Sequence, residues 1–377
     1  MKTTHVVIIG GGFVGLPVAK KLASHFRMHA NVHITLIDAK SYFTFLPRLT
    51  DAIHNEVKEK YINASYAHLA KKYGFTFICD TVLNINTTQK KITRAASPTP
   101  LEFDYLVYSP GSITNFYETP GAKEFSYTLK SWNDVQRIHK NIDILLSISA
   151  SPSFVVVGAG PTGIEAIFSL QKYILQRCSE KKIPSTATYT LIQAATQILP
   201  GFHEKIVRDT MIELEKKGIR VITADPAILV EKSFVELKHS GRIPSDFILW
   251  TAGIKRQAID INPPPNEDRG HFFLIDSHLD MNAYTFAGGD AASCDEKKIV
   301  IPKNAQTAYK MSRTISENII RSIAGAPLVP FHYSSRGIFL PIADTCFLHI
   351  GPFVFKSKII KWLRDIVYTQ IFLEITR

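Results

Sequence analysis

The sequence predicts an α/β protein with a doubly wound dinucleotide-binding fold laid down twice, followed by a smaller C-terminal part. Two glycine fingerprints and a mirrored pair of strand–turn segments carry that prediction. In HVVIIGGGFVG, residues Gly10, Gly12 and Gly15 have the G-x-G-x-x-G spacing, and in SFVVVGAGPTG, Gly158, Gly160 and Gly163 repeat it. Each fingerprint sits between a strand-like run (Val6 to Ile9; Phe154 to Val157) and a helix-like one (Leu16 to Ala23; Ile164 to Leu170). In this spacing the first glycine makes a tight turn and the second lets backbone approach a pyrophosphate. The third lets helix and strand pack closely, with the helix N-terminus facing the phosphates. One match is weak evidence. Two in one chain predict two bound dinucleotides, an arrangement that most often serves electron transfer between a nicotinamide and a flavin.

The first unit continues into the strand VHITLID, whose last residue, Asp38, is placed to accept hydrogen bonds from a ribose diol. The aromatic and apolar stretch SYFTFLPRLTDAI follows, then a helical run from Tyr66 to Tyr73 and several short strands. FDYLVYSPGS reads as a strand running into a Gly/Pro turn at Gly111, and a boundary is expected near Asn115. The second unit opens with a helix over Ser131 to Ser147 and reaches the second fingerprint. QRCSEKKIPSTA is expected to be a loop before the strand ATYTLIQ, which ends in Gln193. A helix over Glu204 to Lys217 precedes SDFILWTAGIK, which mirrors FDYLVYSPGS and turns at Gly253. The repetition reads as duplication of a whole fold and not as a short-period repeat.

INPPPNEDRG marks a second boundary, followed by a strand that ends in Gly288, Gly289 and Asp290 and by a helix from Asn304 closed by Gly325. The tail ends in FKSKIIKWLRDIVYTQIFLEITR. Ile359, Leu363 and Ile366 fall on one helical face, Ile360, Val367 and Ile371 lie beside them, and Lys358, Lys361 and Arg364 supply a basic flank. That pattern predicts a basic amphipathic helix for an anionic lipid surface; packing on the body of the protein, or on a second copy in a homodimer, is the alternative. The predicted domains are therefore 1–115 with 262–335, 116–261, and 336–377.

Composition narrows the function classes. The chain has 377 residues, 45% of them apolar and 20% charged, which suits two or three globular domains. Its net charge of +11 favours an anionic partner, whether acidic lipid headgroups, nucleic acid or phosphorylated cofactors. Cys79, Cys178, Cys294 and Cys346 form no C-x-x-C or C-x-x-x-x-C pair, so no zinc ribbon or local dithiol is indicated and a reducing compartment is expected. The 13 histidines show no metal-ligand spacing. The first strand starts at His5, which leaves no room for a leader, and no run of about 18 apolar residues predicts a spanning helix.

Taken together, these segments resemble the type II NADH dehydrogenases, single-chain flavin enzymes of the two-dinucleotide-binding-domain superfamily. The superfamily-level matches are the two fingerprints, SPG at Gly111, TAG at Gly253 and AGGD at Asp290. More specific are GSITNFYETPGAKEFSYTLKSWNDVQRI, LIQAATQILPGF, and the pairing of AQTA with a basic amphipathic C-terminus. The resemblance implies oxidation of NADH, electron passage through FAD to a membrane quinone, no proton pumping, and a peripheral location on the cytoplasmic membrane face. It implies FAD contacts at Gly10, Gly12, Gly15, Asp38, Gly111 and Asp290. It implies NADH contacts at Gly158, Gly160, Gly163, Gln193 and Gly253. Glu165 is implied near the nicotinamide–flavin contact, and Ala305 with Gln306 beside the flavin ring at the quinone. No metal and no nucleic-acid partner is expected.

Two positions depart from the pattern. Gln193 stands where many relatives place an acid that grips the NADH 2′-hydroxyl, which leaves NADPH open as a second donor. Lys310 stands where relatives often have a glutamine one turn beyond Gln306. Two other readings share the architecture. A sulfide:quinone oxidoreductase would need cysteines over the flavin, for which Cys178 and Cys346 are the candidates. A signalling flavoprotein similar to apoptosis-inducing factor would bind FAD and NAD(P)H and use the basic charge to bind nucleic acid.

Overall fold

The computed structural model describes residues 3–149, 151–184, 186–282, 284–294 and 301–377. A parallel sheet forms around the first fingerprint strand, Thr4–Ile9, with Val32–Asp38 and Thr76–Cys79 on one side and Tyr105–Tyr108 and Thr285–Ala287 on the other; Asp280–Asn282 closes the edge antiparallel. Its helices from this part of the chain are α1 (Gly15–His25), α2 (Leu49–Ile53) and α3 (Tyr66–Tyr73). Ser65 caps α3 by accepting from the His68 N–H, and Gly74 ends it in the left-handed region.

The second unit contains α4 (Ala122–Phe125), α5 (Trp132–Ile148), α6 (Pro161–Lys181) and α7 (Glu204–Lys216). Its parallel sheet runs in the order Ile219–Ile222, Thr188–Ile192, Ser153–Val157, Phe247–Trp250. This is the order of the four corresponding strands in the first sheet, so the duplication read from the sequence is a duplication of topology. The two units are joined by two crossing segments, which pair as a short antiparallel ribbon, Ser112–Thr114 with Ile254–Arg256. The indole N–H of Trp250 ties that crossing by donating to the carbonyls of Asn115 and Ala252.

One sequence expectation is corrected in the second unit. The stretch beginning QRCSEK is not a loop, because α6 continues through it to Lys181 and stops only at Lys182, which is left-handed at φ 55°. Tertiary contacts override the local polarity. Arg177 donates to Asp143 on α5 at 2.7 Å, and Cys178 is buried in the second core.

The chain returns to the first unit with α8 (Ala305–Ile323), capped by Asn304, which accepts from the Thr307 N–H. The tail forms a three-stranded antiparallel sheet (Ile338–Ile342, Thr345–Ile350, Phe353–Ser357) and ends in α9 (Lys358–Thr376). The tail is packed into both units. Leu340, Ile342 and Phe347 join the second core together with Leu49, Ala52 and Ile53 of α2. Phe372 and Ile375 of α9 join the first core. Each fully buried apolar side chain of this size contributes about 1.5–3 kcal/mol, so the tail is a structural part of the body.

The orientation of α9 differs from the expected one. Ile359, Leu363 and Ile366 do share a face, but it is the outer one, with Ile359 75% and Trp362 66% exposed. Arg364 does not flank a lipid surface. It is fully buried on the inner stripe with Phe372, where it ion-pairs with Asp51 at 3.0 Å. The stripe Ile360, Arg364, Tyr368 and Phe372, four residues apart, faces the protein because Asp51 supplies the partner that a buried guanidinium requires.

Candidate active site

The two fingerprints have the same backbone geometry. Gly10 and Gly158 are left-handed, at φ 86° and 104°, and donate their N–H groups to the carbonyls of Ile37 and Ile192, each at 2.8 Å. A Cβ on either would strike the facing turn, Ser109–Pro110 or Ala252. A Cβ on Gly15 or Gly163 would lie 1.9 or 1.8 Å from the carbonyl oxygen of the first glycine, so helix and strand meet only because both are glycine. A Cβ on Gly12 or Gly160 would meet nothing within 4 Å among the described residues. The middle glycine thus leaves open space where a phosphate would approach. Neither α1 nor α6 has a side-chain cap or an acidic residue in its first turn, so their leading N–H groups and positive dipole ends remain available to an anion. These residues fit a dinucleotide diphosphate at both places.

The facing turns are duplicated as well. The hydroxyl of Ser109 donates to the carbonyls of Ile9 and Gly10, and that of Thr251 to Val157 and Gly158. Gly111 and Gly253 follow in left-handed conformations at φ 74° and 67°. At the end of the second strand of each unit, one side chain braces the fingerprint loop. Asp38 accepts from the Gly11 N–H at 2.7 Å and Gln193 accepts, through Oε1, from the Ala159 N–H at 3.1 Å. Burial raises the Asp38 carboxyl, against the opposing N–H groups of Gly11 and Lys40. Gln193 spends its Nε2 on the Gln197 carbonyl, and it puts no charge at the equivalent position.

Asp290 joins the first cradle. It sits in a short turn behind Gly289, beside the start of α1 (Val14) and the start of α8 (Ala308), and accepts from the Ser112 hydroxyl at 2.7 Å. Two lysines missed in the sequence lie around it. Lys303 donates to the carbonyls of Asp290 and Ala292, while burial lowers Lys130 and the charge of Asp290 opposes that shift. Lys130 lies within the GSITNFYETPGAKEFSYTLKSWNDVQRI segment without being singled out there, and Lys303 just precedes AQTA; what joins them to Asp290 is nonlocal.

Ala305 and Gln306 open α8 next to this cradle. Gln306 is engaged by the strap that precedes the tail sheet: its Oε1 accepts from the Arg336 N–H, and its Nε2 donates to the Gly337 carbonyl. Thr307 adds, in the first turn of α8, a buried hydroxyl oxygen without a partner among the described residues. Lys310, one turn on, donates to the carbonyl and hydroxyl of Ser334.

Glu165 lies on α6 but reaches the first unit. The Thr50 hydroxyl of α2 donates to Glu165 Oε2 at 2.7 Å. Burial pushes the Glu165 carboxyl up to about 7, opposed by the Arg364 charge and by the Thr50 hydrogen bond and reinforced by Asp51. Asp51, Thr50 and Arg364 are further residues missed in the sequence. Cys178 and Cys346 are both buried, free thiols, and burial pushes Cys346 up to about 12.

Two dinucleotide cradles in one chain, joined by the half-buried Glu165, define a pyridine-nucleotide oxidoreductase architecture. The chain belongs to the pyridine nucleotide-disulphide oxidoreductase family, whose profile matches residues 4–312. It is similar to a type II NADH:quinone oxidoreductase of Haemophilus influenzae, with 24% identity over 90% of this chain and 85% of the relative. It is also 26% identical to a demethylphylloquinone reductase of Synechocystis, over 89% of this chain and 84% of the relative. Among solved structures, NDH2 from Plasmodium falciparum in complex with NADH shares the fold with a TM-score of 0.87 at 18% identity, over 98% of this chain and 95% of that one. The sulfide:quinone oxidoreductase of Aquifex aeolicus shares it at 0.84 and 17% identity, over 99% and 92%.

The glycine geometry separates folding from binding. Gly15→Val drives a branched side chain into the Gly10 carbonyl and should cost about 3 kcal/mol of stability, at the upper end of overpacking effects. Gly12→Val meets open space and should leave the melting temperature of the flavin-free protein unchanged while abolishing flavin retention. Thermal melts and flavin absorbance of the two purified variants check this.

Proposed function

We propose that this chain is an FAD-dependent NADH:quinone oxidoreductase that does not pump protons and works as a peripheral protein on the cytoplasmic face of a membrane. Residues 1–115 and 262–335 are assigned to FAD, 116–261 to NAD(P)H and 336–377 to the membrane-facing tail. The observation that carries the reading is the pair of open, uncapped fingerprint cradles of one geometry, with α6 of the second delivering Glu165 to α2 of the first. A bound flavin would accept a hydride from NADH and return two electrons to a quinone.

The protein's share is placement and proton supply. Gly10, Gly12, Gly15, Asp38, Gly111 and Asp290 are assigned to FAD. Gly158, Gly160, Gly163, Gln193 and Gly253 are assigned to NADH. Ala305 and Gln306 are assigned to the meeting of flavin and quinone. Reducing a quinone with the hydride of NADH consumes one further proton. Glu165, with its carboxyl at about 7, can hold that proton at neutral pH. A sulfur-handling reaction fits less well, because thiolate chemistry requires a lowered thiol and Cys346 is raised.

The outer surface of the tail supports membrane association. Phe353, Phe355, Ile359, Trp362, Leu363 and Ile366 are exposed, with Lys356 and Lys358 among them. Among the described residues no helix is long and apolar enough to cross a bilayer.

Anaerobic stopped-flow is the direct test of the reaction. NADH should bleach the flavin band near about 450 nm, the usual chromophore of this cofactor class, and a short-chain quinone should restore it. Bleaching without recovery would reject the quinone reading. Gln193 is neutral, so NADPH should also serve as donor. Gln193→Glu should lower kcat/KM for NADPH relative to NADH by about tenfold, the equivalent of about 1.4 kcal/mol of repulsion. For the membrane, Ile359→Glu with Trp362→Glu should abolish sedimentation with anionic liposomes at unchanged melting temperature. Unchanged sedimentation would remove this face of α9 as the anchor.

A further inference from the structure

Arg364 holds the segment that presents Thr50 to Glu165. Its Nη1 donates to Asp51 at 3.2 Å and its Nη2 to the Pro47 carbonyl at 3.3 Å, so it grips both ends of the turn that carries Thr50. The grip is reciprocal. Arg48, from the same turn, donates to the Asp365 carbonyl at 2.6 Å and to the Thr369 hydroxyl at 2.8 Å on α9. Just beyond α2, the contact becomes an ionic network. Glu56 bridges His54, Lys172 of α6 and Lys361 of α9. Thus α2, α6 and α9 are tied together around Glu165, and α9 carries the exposed apolar face on its other side.

We propose that Arg364 is a positioning residue for proton delivery by Glu165, so that the seating of the tail helix on the body sets when the acid can act. The proposal rests on the quinone-reductase reading. The balance is that of the overall reaction: NADH gives a hydride, Glu165 gives one proton, the quinone gains both as quinol, and solvent reprotonates the carboxylate. Among the described residues, the charged and titratable groups that act on Glu165 come from three elements. Asp51 comes from α2, Arg364 and Tyr368 from α9, and Cys346 from the tail sheet. Tyr368 and Cys346 are both raised to about 12 and remain neutral near pH 7. The two charges that act on Glu165 are therefore Arg364, which favours the carboxylate, and Asp51, which favours the acid.

The signs are opposite, and this makes a test. Delivery needs the protonated acid, so quinone-dependent flavin reoxidation should fall as pH rises through the Glu165 range. Arg364→Met removes the charge that favours the carboxylate and should move that fall to higher pH by about one unit. Asp51→Asn removes the charge that favours the acid and should move it to lower pH. Arg364→Lys keeps the charge and should stay nearer the parent. Infrared titration of the protonated carboxyl band, parent minus Glu165→Gln, should shift in the same directions without turnover. A merely structural role would reduce amplitudes in these variants and leave the pH dependence in place, which would overturn the proposal. If Arg364→Met does not fold, Arg364→Gln, which keeps amide donors for Asp51 and the Pro47 carbonyl but removes the charge, decides in its place by the same shift to higher pH. Failure of the parent protein to be reoxidised by a short-chain quinone at any pH would instead reject the reductase reading itself.

Discussion

The buried guanidinium of Arg364 is the constraint on which the arrangement of the parts depends. A charge taken out of water costs several kcal/mol, and the cost is recovered only where geometry and partners are good. Here the partners are Asp51, Asp365 and the Pro47 carbonyl, drawn from the turn before α2, from α2 itself and from α9. Removing one partner would strand the other in the interior. The tail therefore cannot be treated as an appendage hung on a finished pair of domains. Its strands complete the second core, its helix completes the first, and the ion pair fixes the register between them.

Against that asymmetric junction stands the symmetry of the two cradles. Gly10 and Gly158, Gly15 and Gly163, Ser109 and Thr251, and Gly111 and Gly253 repeat one another bond for bond. The backbone alone does not tell the two ligands apart. The distinction comes from the side chains added to it. Asp38 puts a carboxylate behind the first loop where Gln193 puts an amide behind the second. Asp290 and the lysines near it surround only the first, and Glu165, one turn into α6, belongs only to the second.

This division also explains what could be read in the sequence. The cradles were legible because their chemistry is local: a glycine spacing, a strand before it, a helix after it. The end of α6 was misread because its support comes from Asp143, far from Arg177 in sequence. Arg364 was misread for the same reason. A helical wheel ranks faces by hydropathy, and Ile359, Leu363 and Ile366 make a more apolar stripe than one containing an arginine. Only the position of Asp51, which no pattern in the tail reveals, makes the arginine stripe the inner one. The hydrogen bond from Thr50 to Glu165 spans the two units and left no local signal at either end.

The first turns of α8, assigned above by proposal to the quinone, show how few donors are needed. Gln306 has two amide N–H groups and Lys310 has three ammonium N–H groups. The strap takes one from Gln306, at the Gly337 carbonyl, and two from Lys310, at Ser334. One donor remains on each, and the two residues lie one helical turn apart on α8. Replacing a glutamine by Lys310 therefore keeps a hydrogen-bond donor at that level of the helix and adds a positive charge. Burial and the neighbouring Arg336 and Arg313 lower that lysine, which weakens its hold on the proton. A carbonyl oxygen that gains negative charge on reduction would be favoured by such a cation at short range, and most in a slot from which water is excluded. The departure at Lys310 is thus compatible with quinone reduction on the same electrostatic grounds that make Arg364 matter to Glu165.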